Sequence, residues 1–535
     1  MASQDELIQS SDSSALHGDI DVDRANVDKL HKNAIGLPGV LYFCLAGSAP
    51  ISAMLFNVPP IASQAGAVAP LVFLLSGIGL MLLGVAIVYL SRRLTSAGGF
   101  YTWVRHSLGR RTAFQAGWLM MGGYALFEAS LLGAFGSYTN SSFGNYLNFH
   151  MPGGWVTFAL IGALIIFSLS YFDVKWSVYA MAPFLILEVG VLVILDLVIT
   201  FHGGASGHDL VHTFTNAGAN PTPGTTHFIP TSIAPAANIT AAPGGILGIG
   251  VGMALGVWSW VGFEAGAVYG EEARNPRRAV PVAVFAVIAF LTFLYTWTSY
   301  SAIVGYGWQN AVSQFGNLTG NPTPYYPLAS VYVGGFLQAL MIIAISTSSL
   351  ACGLAFHNGM VRYLYAMGRE HILPRVFGRT HPTYRSPHIA IITQSLFSVL
   401  LMIAFAFVIQ KSNADGIISY ALGIADGKVY TQTDGIYPYT WLAIIGTIAF
   451  AVVYIMVNIA SPVFSLRFDK KSFNVLAHIV APVLSTLVLL VPLISFIMPA
   501  IPGAIGTYFT DLGFAATPFP LNILWYFVVA WVVLG

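Results

Sequence analysis

Long runs of apolar residues recur along the chain, and they constrain its fold more than any other feature. Runs of 18 or more apolar residues are typical of membrane-spanning helices. Only 8% of the 535 residues are charged, against roughly 25% in soluble domains. The short alternating strands of a membrane β-barrel are missing from the pattern. The sequence therefore predicts an all-α integral membrane protein with about twelve transmembrane helices, at 35–57, 70–91, 113–139, 155–172, 177–201, 245–270, 280–304, 326–356, 388–409, 437–460, 475–498 and 518–535.

The basic residues are concentrated in alternate loops between these spans. With the N-terminus in the cytoplasm, 20 of the 22 Lys and Arg residues lie on the inner side, and only Lys411 and Lys428 lie outside. Short loops rich in Lys and Arg remain cytoplasmic. We therefore expect a multi-pass protein of the plasma (inner) membrane with a cytoplasmic N-terminus. All 22 basic residues are expected outside the spans.

The chain divides into a polar tail and one apolar domain. Residues 1–33 are rich in Ser and Asp and cannot bury a core, so we expect a disordered acidic cytoplasmic tail. The tail lacks a basic region followed by an apolar core, which argues against a cleaved signal peptide. Residues 34–535 are expected to form a single transmembrane domain.

Metal, cofactor and enzyme sites are not indicated. Cys44 and Cys352 lie in separate spans and predict neither a disulfide nor a metal site. His208 and His212 are four residues apart, but the glycine-rich context and the missing glutamate argue against zinc. His357 lies near the inner end of a span, where we expect it to face a loop, and no His–acid pair is predicted within the spans. We expect no enzymatic activity, cofactor or nucleic-acid partner.

Four carboxylates remain within the predicted spans: Glu128, Glu188, Asp196 and Glu264. Each costs about 2.5–3.5 kcal/mol at a helix centre on insertion scales, and none has a Lys or Arg in the spans to pair with. Asp196 lies near the outer end of its span, where we expect it to reach water. Glu188 and Glu264 lie deeper and are candidates to carry a proton or to neutralise a substrate ammonium. Glu128 is a third proton candidate, with a hydrogen bond to a neighbouring helix as the alternative.

Gly and Pro interrupt the first and sixth spans. The first reads GVLYFCLAGSAPISAMLF, and the sixth reads GGILGIGVGMALGVWSWVGFEAGAVYG. Interrupted spans at matching positions of two halves indicate a transporter binding site. We therefore expect two inverted five-helix repeats, at about 35–201 and 245–460, with peripheral helices in about 475–535. The alternative is that the glycines only permit close helix packing, as in small-xxx-small motifs.

Three motifs resemble those of a known family, the amino acid–polyamine–organocation permeases. They are WSWVGFEAGAVYGEEARNPRRAVPVAV in and after the sixth span, RYLYAMGREHILPRVFGRTHP after the eighth, and SAGGFYTWVRHSLGRR between the second and third. The resemblance implies a five-plus-five inverted-repeat fold that imports or exchanges an amino acid or amine. In the hairpin EEARNPRR, we expect the arginines to pair with Glu271 and Glu272.

The resemblance also implies a substrate site at the two interruptions. Backbone N–H groups of the first would hold a carboxylate, at Gly47, Ser48, Ala49, Pro50, Ile51 and Ser52. Carbonyl groups of the sixth span would hold an amino group, with Trp258 or Trp260 as an aromatic lid, at Trp258, Ser259, Trp260, Val261 and Gly262. The ring of either tryptophan could also attract an ammonium group.

Two departures from the family pattern bear on the substrate. Pro50 offers no N–H, and the fifth span has Glu188 in place of the Lys of some proton-coupled members. Both favour an amine-bearing or cationic substrate. Proton coupling through the carboxylates is the first expectation, and exchange without an ion remains open. Sodium is the other alternative, with hydroxyl ligands at Ser346, Thr347, Ser348 and Ser349.

The sequence thus predicts a secondary active transporter of amino acids or related amines, working by alternating access across the plasma membrane. Proton-coupled import or exchange is the expected mode, with H⁺ and the lipid bilayer as partners. The alternatives are a polyamine or organic-cation transporter, or a nutrient receptor or channel on the same fold that does not transport.

Overall fold

The computed structural model describes residues 30–172, 174–205, 207–215, 245–316, 323–409, 436–511 and 521–535. Within these ranges the chain is helical without a β-strand, and one isolated parallel bridge joins Ile35 to Ala273. Nine helices in the described ranges are long and apolar enough to cross a membrane. The prediction of an all-α, multi-pass membrane protein is confirmed. Most of the predicted tail, with Lys411 and Lys428, lies outside the described residues.

Most of the long helices overlap the predicted spans. In the first half they are α1 (Leu37–Gly47), α2 (Pro50–Ala65), α3 (Ala69–Ser91), α4 (Gly99–Leu108), α5 (Arg110–Leu147), α6 (Trp155–Tyr171), α7 (Val174–His202) and α8 (Val211–Phe214). In the second half they are α9 (Gly245–Trp258), α10 (Pro276–Tyr306), α11 (Trp308–Gly316), α12 (Tyr325–Tyr332), α13 (Gly335–Arg369), α14 (His388–Ile409), α15 (Ile436–Phe468), α16 (Ala481–Ile497), α17 (Ala504–Asp511) and α18 (Leu524–Leu534).

Two of the twelve predicted spans lack a helix of membrane-spanning length, and a third is only partly described. Helix α6 is apolar but short, the sixth span is broken after α9 and continues as a 3₁₀ segment, Phe263–Tyr269, and the start of the twelfth predicted span, 518–520, lies outside the described residues. A full span needs about 20 residues at 1.5 Å per residue. The count of twelve therefore remains a prediction.

The predicted span 326–356 is wrong in its boundaries. Gly334, with φ of 124°, separates α12 from the 35-residue α13. Because α13 begins later and ends later than predicted, Arg362 lies inside a membrane-length helix and is buried. The 35 residues of α13 exceed the roughly 20 needed to cross a bilayer core, so the expectation that all basic residues lie outside the spans stays a prediction for Arg362. Its charge is tolerated because Glu272 accepts two hydrogen bonds from the guanidinium, at 2.7 and 3.1 Å.

The expected pairing within the EEARNPRR hairpin was also wrong. Glu271 pairs with Arg369 and Glu272 pairs with Arg362, both on α13. Asn275 adopts a left-handed conformation, φ 51°, and Pro276 starts α10 directly after it. The next two arginines then lie exposed on the first turn of α10, away from the glutamates. The ion pairs therefore join the hairpin to α13.

The centre of the molecule is built around α5. This 38-residue helix packs along both α13 and α15, while α3 packs along α10. The broken pair α1–α2 contacts α13, α9 and the 3₁₀ segment after α9. The two interruptions therefore lie inside the bundle, where the surrounding helices exclude lipid from their irregular backbone.

Candidate substrate-binding site

The first interruption is a two-residue break between half-helices. Helix α1 ends at Gly47, and α2 begins at Pro50. Between them Ala49 is left-handed, with φ of 42°. Pro50 is the first residue of α2, a position where its missing N–H and fixed φ suit a helix start. The proline therefore starts the second half-helix.

The second interruption faces the first at close range. After α9 the chain turns through Gly262, which has φ of 109°. A Cβ atom on Gly47 would lie 2.6 Å from the Gly262 carbonyl oxygen, closer than side chains approach. The Ser48 hydroxyl also lies 3.3 Å from the Trp260 carbonyl oxygen. The two breaks thus meet backbone to backbone, and glycine is required at both contact points.

A small buried cavity lies beside this junction. It holds about 20 Å³, room for about one water molecule, so a substrate enters only if side chains move. The lining is uncharged and rich in aromatic rings: Gly47, Ser48, Ala49, Ala53, Asn57, Phe127, Leu131, Trp258, Ser259, Val261, Cys352, Phe356 and Tyr439. The structure therefore brings together residues of both breaks with α5, α13 and α15.

The two tryptophans of the sixth span occupy different places. Trp258 lines the cavity, with its ring 5.6 Å from that of Tyr439. Trp260 is fully buried against Tyr295, at 4.8 Å between ring centroids, and is not part of the lining. Of the two tryptophans, Trp258 therefore lies at the cavity.

Glu188 lies behind the first break and is fully buried on α7. Its Oε2 accepts a hydrogen bond from the Ile51 N–H at 3.4 Å and another from the Ser348 hydroxyl. Its Oε1 has no hydrogen-bond partner in the part of the chain that the structure describes. Glu188 therefore connects α7 with the start of α2 and with α13.

Glu264 lies within the second break and is also buried. It accepts hydrogen bonds from the hydroxyls of Tyr124 and Tyr454, at 3.0 and 2.7 Å, and from the Gly262 N–H at 3.0 Å. Three donors surround this carboxylate, so it fastens the 3₁₀ segment to α5 and α15.

The expectations that His357 faces a loop and that no His–acid pair lies within the spans were wrong. Its side chain is fully buried, and Nδ1 lies 3.0 Å from Oε1 of Glu128. The reason is the extension of α13 to Arg369, which places His357 well inside the helix. Gln394 on α14 also donates to Glu128. Glu128 thus lies in a polar cluster between three helices.

Asp196 was expected to reach water, and it does not. The residue is fully buried, and Thr298 on α10 donates to its Oδ2 at 2.6 Å. Helix α7 continues to His202, and α10 packs along it, so the carboxylate is covered.

The four hydroxyl residues proposed for sodium separate into two pairs. The Ser349 hydroxyl lies 3.4 Å from the Ser52 hydroxyl at the first break. The Ser348 hydroxyl donates to Glu188, which lies behind that break. Thr347 donates to carbonyls of its own helix, as hydroxyls in membrane helices commonly do. Ser346 is its partly exposed neighbour. Among the described residues, His, Cys, Asp and Glu form no group of three able to hold a metal ion.

Sequence reasoning missed several residues of the cavity. Asn57, in the segment LFNVPP, is 1% exposed and was given no role, although an amide within an apolar span is itself a signal. Phe127, Phe356 and Tyr439 also line the cavity. Their positions had no sequence signal, since aromatic residues are common in every span.

Together the fold and this junction define a multi-pass α-helical membrane protein with two broken helices meeting at a small cavity. The chain belongs to the amino acid permease family, whose model matches residues 39–534. The resemblance to amino acid–polyamine–organocation permeases is thereby confirmed.

Proteins similar to this chain include several transporters. The chain is 25% identical over 334 residues to a transporter of Rhizobium meliloti (strain 1021), covering 61% of this chain and 63% of that protein. It is 24% identical to the methylthioribose transporter of Bacillus subtilis (strain 168), covering 61% and 65%. It is 26% identical to the low-affinity putrescine importer PlaP of Escherichia coli (strain K12), covering 58% and 62%. Each alignment spans less than two thirds of the relative's length.

Proposed function

We propose that the protein is a secondary active transporter that carries a small amino acid or amine across the plasma membrane by alternating access. The observation that carries the proposal is the junction of the two broken helices beside a small cavity. Interrupted helices in corresponding places of two halves are typical of transporter sites at the bilayer midplane. The names of the relatives, among them a putrescine importer, support the substrate class.

The polar groups of the second break suit the amino end of a substrate. Ser259 and Val261 line the cavity, and in the described part of the chain no protein donor reaches their carbonyl oxygens. The Trp258 ring lies in the same lining and offers an aromatic face to a cation. We assign substrate contact to both breaks, with Trp258 as the lid.

Proton coupling is assigned to Glu188. The Glu188 carboxylate accepts hydrogen bonds from the Ile51 N–H and the Ser348 hydroxyl. Protonation of Glu188 would remove its negative charge at the start of α2 and add a hydrogen-bond donor there. Its Oε1 lacks a hydrogen-bond partner within the described ranges, so a proton can be held without losing an existing bond. Glu264 already accepts from three donors, and we infer that it is mainly structural.

The cytoplasmic ion pairs suit an inner gate, with the N-terminus on that side. The Ile35 N–H donates to the Glu272 carbonyl, and the Arg274 N–H to the Ile35 carbonyl, so the segment before α1 is bound to the hairpin. The hairpin in turn is bound to α13 through Arg362 and Arg369. Opening the inner side would require these contacts to separate.

The test is uptake by the purified chain in proteoliposomes, with a labelled panel of neutral, basic and acidic amino acids and amines. Saturable uptake that is accelerated by unlabelled substrate inside the vesicles supports a carrier. Flux that rises linearly with concentration would identify a channel instead. Binding of a panel member without flux would identify a receptor.

A further inference from the structure

We propose that Asn57 accepts a hydrogen bond from the ammonium group of the substrate, and that the substrate is an amine recognised without a carboxylate. This inference rests on the proposed transport function and specifies the substrate class of the same site. The basis is a comparison of the hydrogen-bonding groups at the cavity that already have a protein partner with those that have none.

The Asn57 side chain leaves one acceptor unused. Its Nδ2 donates to the Ser259 hydroxyl at 2.8 Å, and that hydroxyl donates its single proton to the Leu255 carbonyl at 2.9 Å. Ser259 therefore acts as the acceptor for Asn57, which fixes the orientation of the amide. The Asn57 Oδ1 is buried and, among the described residues, has no donor. A buried acceptor without a donor is unfavourable, and a bound ammonium group would satisfy it.

The aromatic rings near Asn57 suit the same ligand. Trp258 and Tyr439 line the cavity with Asn57, and Phe56 lies 5.4 and 4.7 Å from their ring centroids. Ring faces attract an ammonium group, most strongly for Trp, and the attraction increases when water is excluded. An amide oxygen and aromatic rings together recognise a cation without placing a fixed negative charge in the cavity.

The first break offers little to a substrate carboxylate. Of the six residues from Ser48 to Ala53, five have no N–H available to a ligand. The N–H groups of Ser48, Ala49, Ile51 and Ala53 donate to Leu45 O, Ala46 O, Glu188 Oε2 and Ala49 O, and Pro50 has none. Among the described residues, the cavity lining also contains no Lys or Arg. A carboxylate would therefore be desolvated here without compensating donors.

Glu188 supplies a resident carboxylate at this half-helix. Helix N-termini favour negative charge, and the Ile51 N–H at the start of α2 already bonds to Glu188. A substrate carboxylate approaching the same N–H would meet another carboxylate, that of Glu188. The Glu188 side chain thus already binds the Ile51 N–H, one of the backbone donors that the family resemblance assigned to a substrate carboxylate.

The experiment compares amines with the amino acids that differ from them only by a carboxylate. The full chain is titrated with putrescine and ornithine, agmatine and arginine, and tyramine and tyrosine. Ligand binding is followed by thermal unfolding in detergent, and transport by inhibition of labelled amine uptake in proteoliposomes. We expect the amine of at least one pair to bind at least 10-fold more tightly than its amino acid. Equal affinities within every pair, or no stabilisation by any amine, would overturn the proposal.

Variants at Asn57 test the contact itself. Asn57→Leu should raise the amine KM at least 10-fold, whereas Asn57→Asp should keep or lower it. Asn458→Leu is the matched control, since Asn458 is equally buried, donates to the Thr486 hydroxyl at 3.2 Å, and lies on α15 outside the cavity lining. An Asn57→Leu effect no larger than that of Asn458→Leu would also overturn the proposal. Amine binding without saturable flux would instead reject the transport function and leave the amine site in place.

Discussion

The Nδ1 atom of His357 lies 3.0 Å from the Oε1 atom of Glu128, and both side chains are buried between α13 and α5. The residues preceding them, Phe356 and Phe127, stack at 4.7 Å and line the cavity. A polar pair thus lies directly behind the aromatic wall of the site.

This pair should show energetic coupling. We expect His357→Gln and Glu128→Gln each to lower the free energy of unfolding by about 1–3 kcal/mol, because each removes the 3.0 Å contact between the imidazole Nδ1 and the carboxylate in a buried site. The double variant should lose less than the sum of the single losses, by about 0.5–3 kcal/mol, in a thermal-unfolding cycle in detergent. His478→Gln, a buried histidine on Leu476–Val480, is the control. Additive losses for His357 and Glu128 would contradict the pairing.

The backbone contact between the two breaks should not tolerate a side chain. Gly47→Ala is expected to reduce uptake at least 10-fold, because the new methyl group would lie 2.6 Å from the Gly262 oxygen. Gly262→Ala adds the strain of φ 109° to the same clash. Gly190→Ala on α7 is the matched control, since a Cβ there meets no atom of the described residues within 4 Å. Normal uptake by Gly47→Ala would show that the breaks separate freely.

The ion pair of Glu271 with Arg369 predicts a pH dependence of stability. Burial raises the pKa of Glu271, but the hydrogen bonds and positive charge of Arg369 lower it by more than burial raises it. The pKa of Glu271 therefore lies below its ordinary value. The stabilisation is then complete above the unfolded pKa, about 4.3, and is lost as pH falls through the lower folded value. The difference in melting temperature between wild type and Glu271→Gln should be largest near pH 7 and shrink below about pH 4.

A control for that measurement is Asp511→Asn, an exposed residue at the end of α17. It should change the melting temperature little at any pH. A wild-type advantage over Glu271→Gln that is the same at pH 7 and at pH 3.5 would contradict the role of the ion pair.

Glu188 and Asp196 allow a direct test of proton coupling within one helix. Both are fully buried carboxylates on α7, but only Glu188 touches the first break. An inward proton gradient should accelerate uptake by the wild type and by Asp196→Asn, and should have no effect on Glu188→Gln. If Glu188→Gln keeps its gradient-driven uptake, the proton is carried elsewhere.

Much of the fold follows from local patterns in the sequence. The break at Pro50 and the glycine-rich sixth span were predicted because those residues disfavour a continuous helix, and both breaks occur. The boundaries of the predicted span 326–356 were wrong because hydropathy cannot show that Glu272 neutralises the charge of Arg362 further along the same helix. Local patterns identify elements, whereas paired charges depend on which helices meet.

The site was harder to predict than the helices. Asn57 and Trp258 come together only because α2 and α9 pack side by side, and no spacing in the sequence encodes that contact. The same holds for His357, whose burial depends on where α13 begins and ends. Sequence reasoning therefore found the two breaks and missed the side chains that surround them.

If the transported amine occupies the cavity between the breaks, it should shield Cys352 from a thiol reagent. Cys352 lines the cavity, and the only other cysteine, Cys44, can be replaced by serine. The rate of Cys352 alkylation by a small thiol reagent is measured in proteoliposomes, with and without a saturating amine identified by uptake. The account predicts at least 5-fold slower labelling with the amine, and no slowing at Lys470→Cys in a cysteine-free background, where residue 470 is exposed. Equal labelling rates of Cys352 with and without the amine would contradict it.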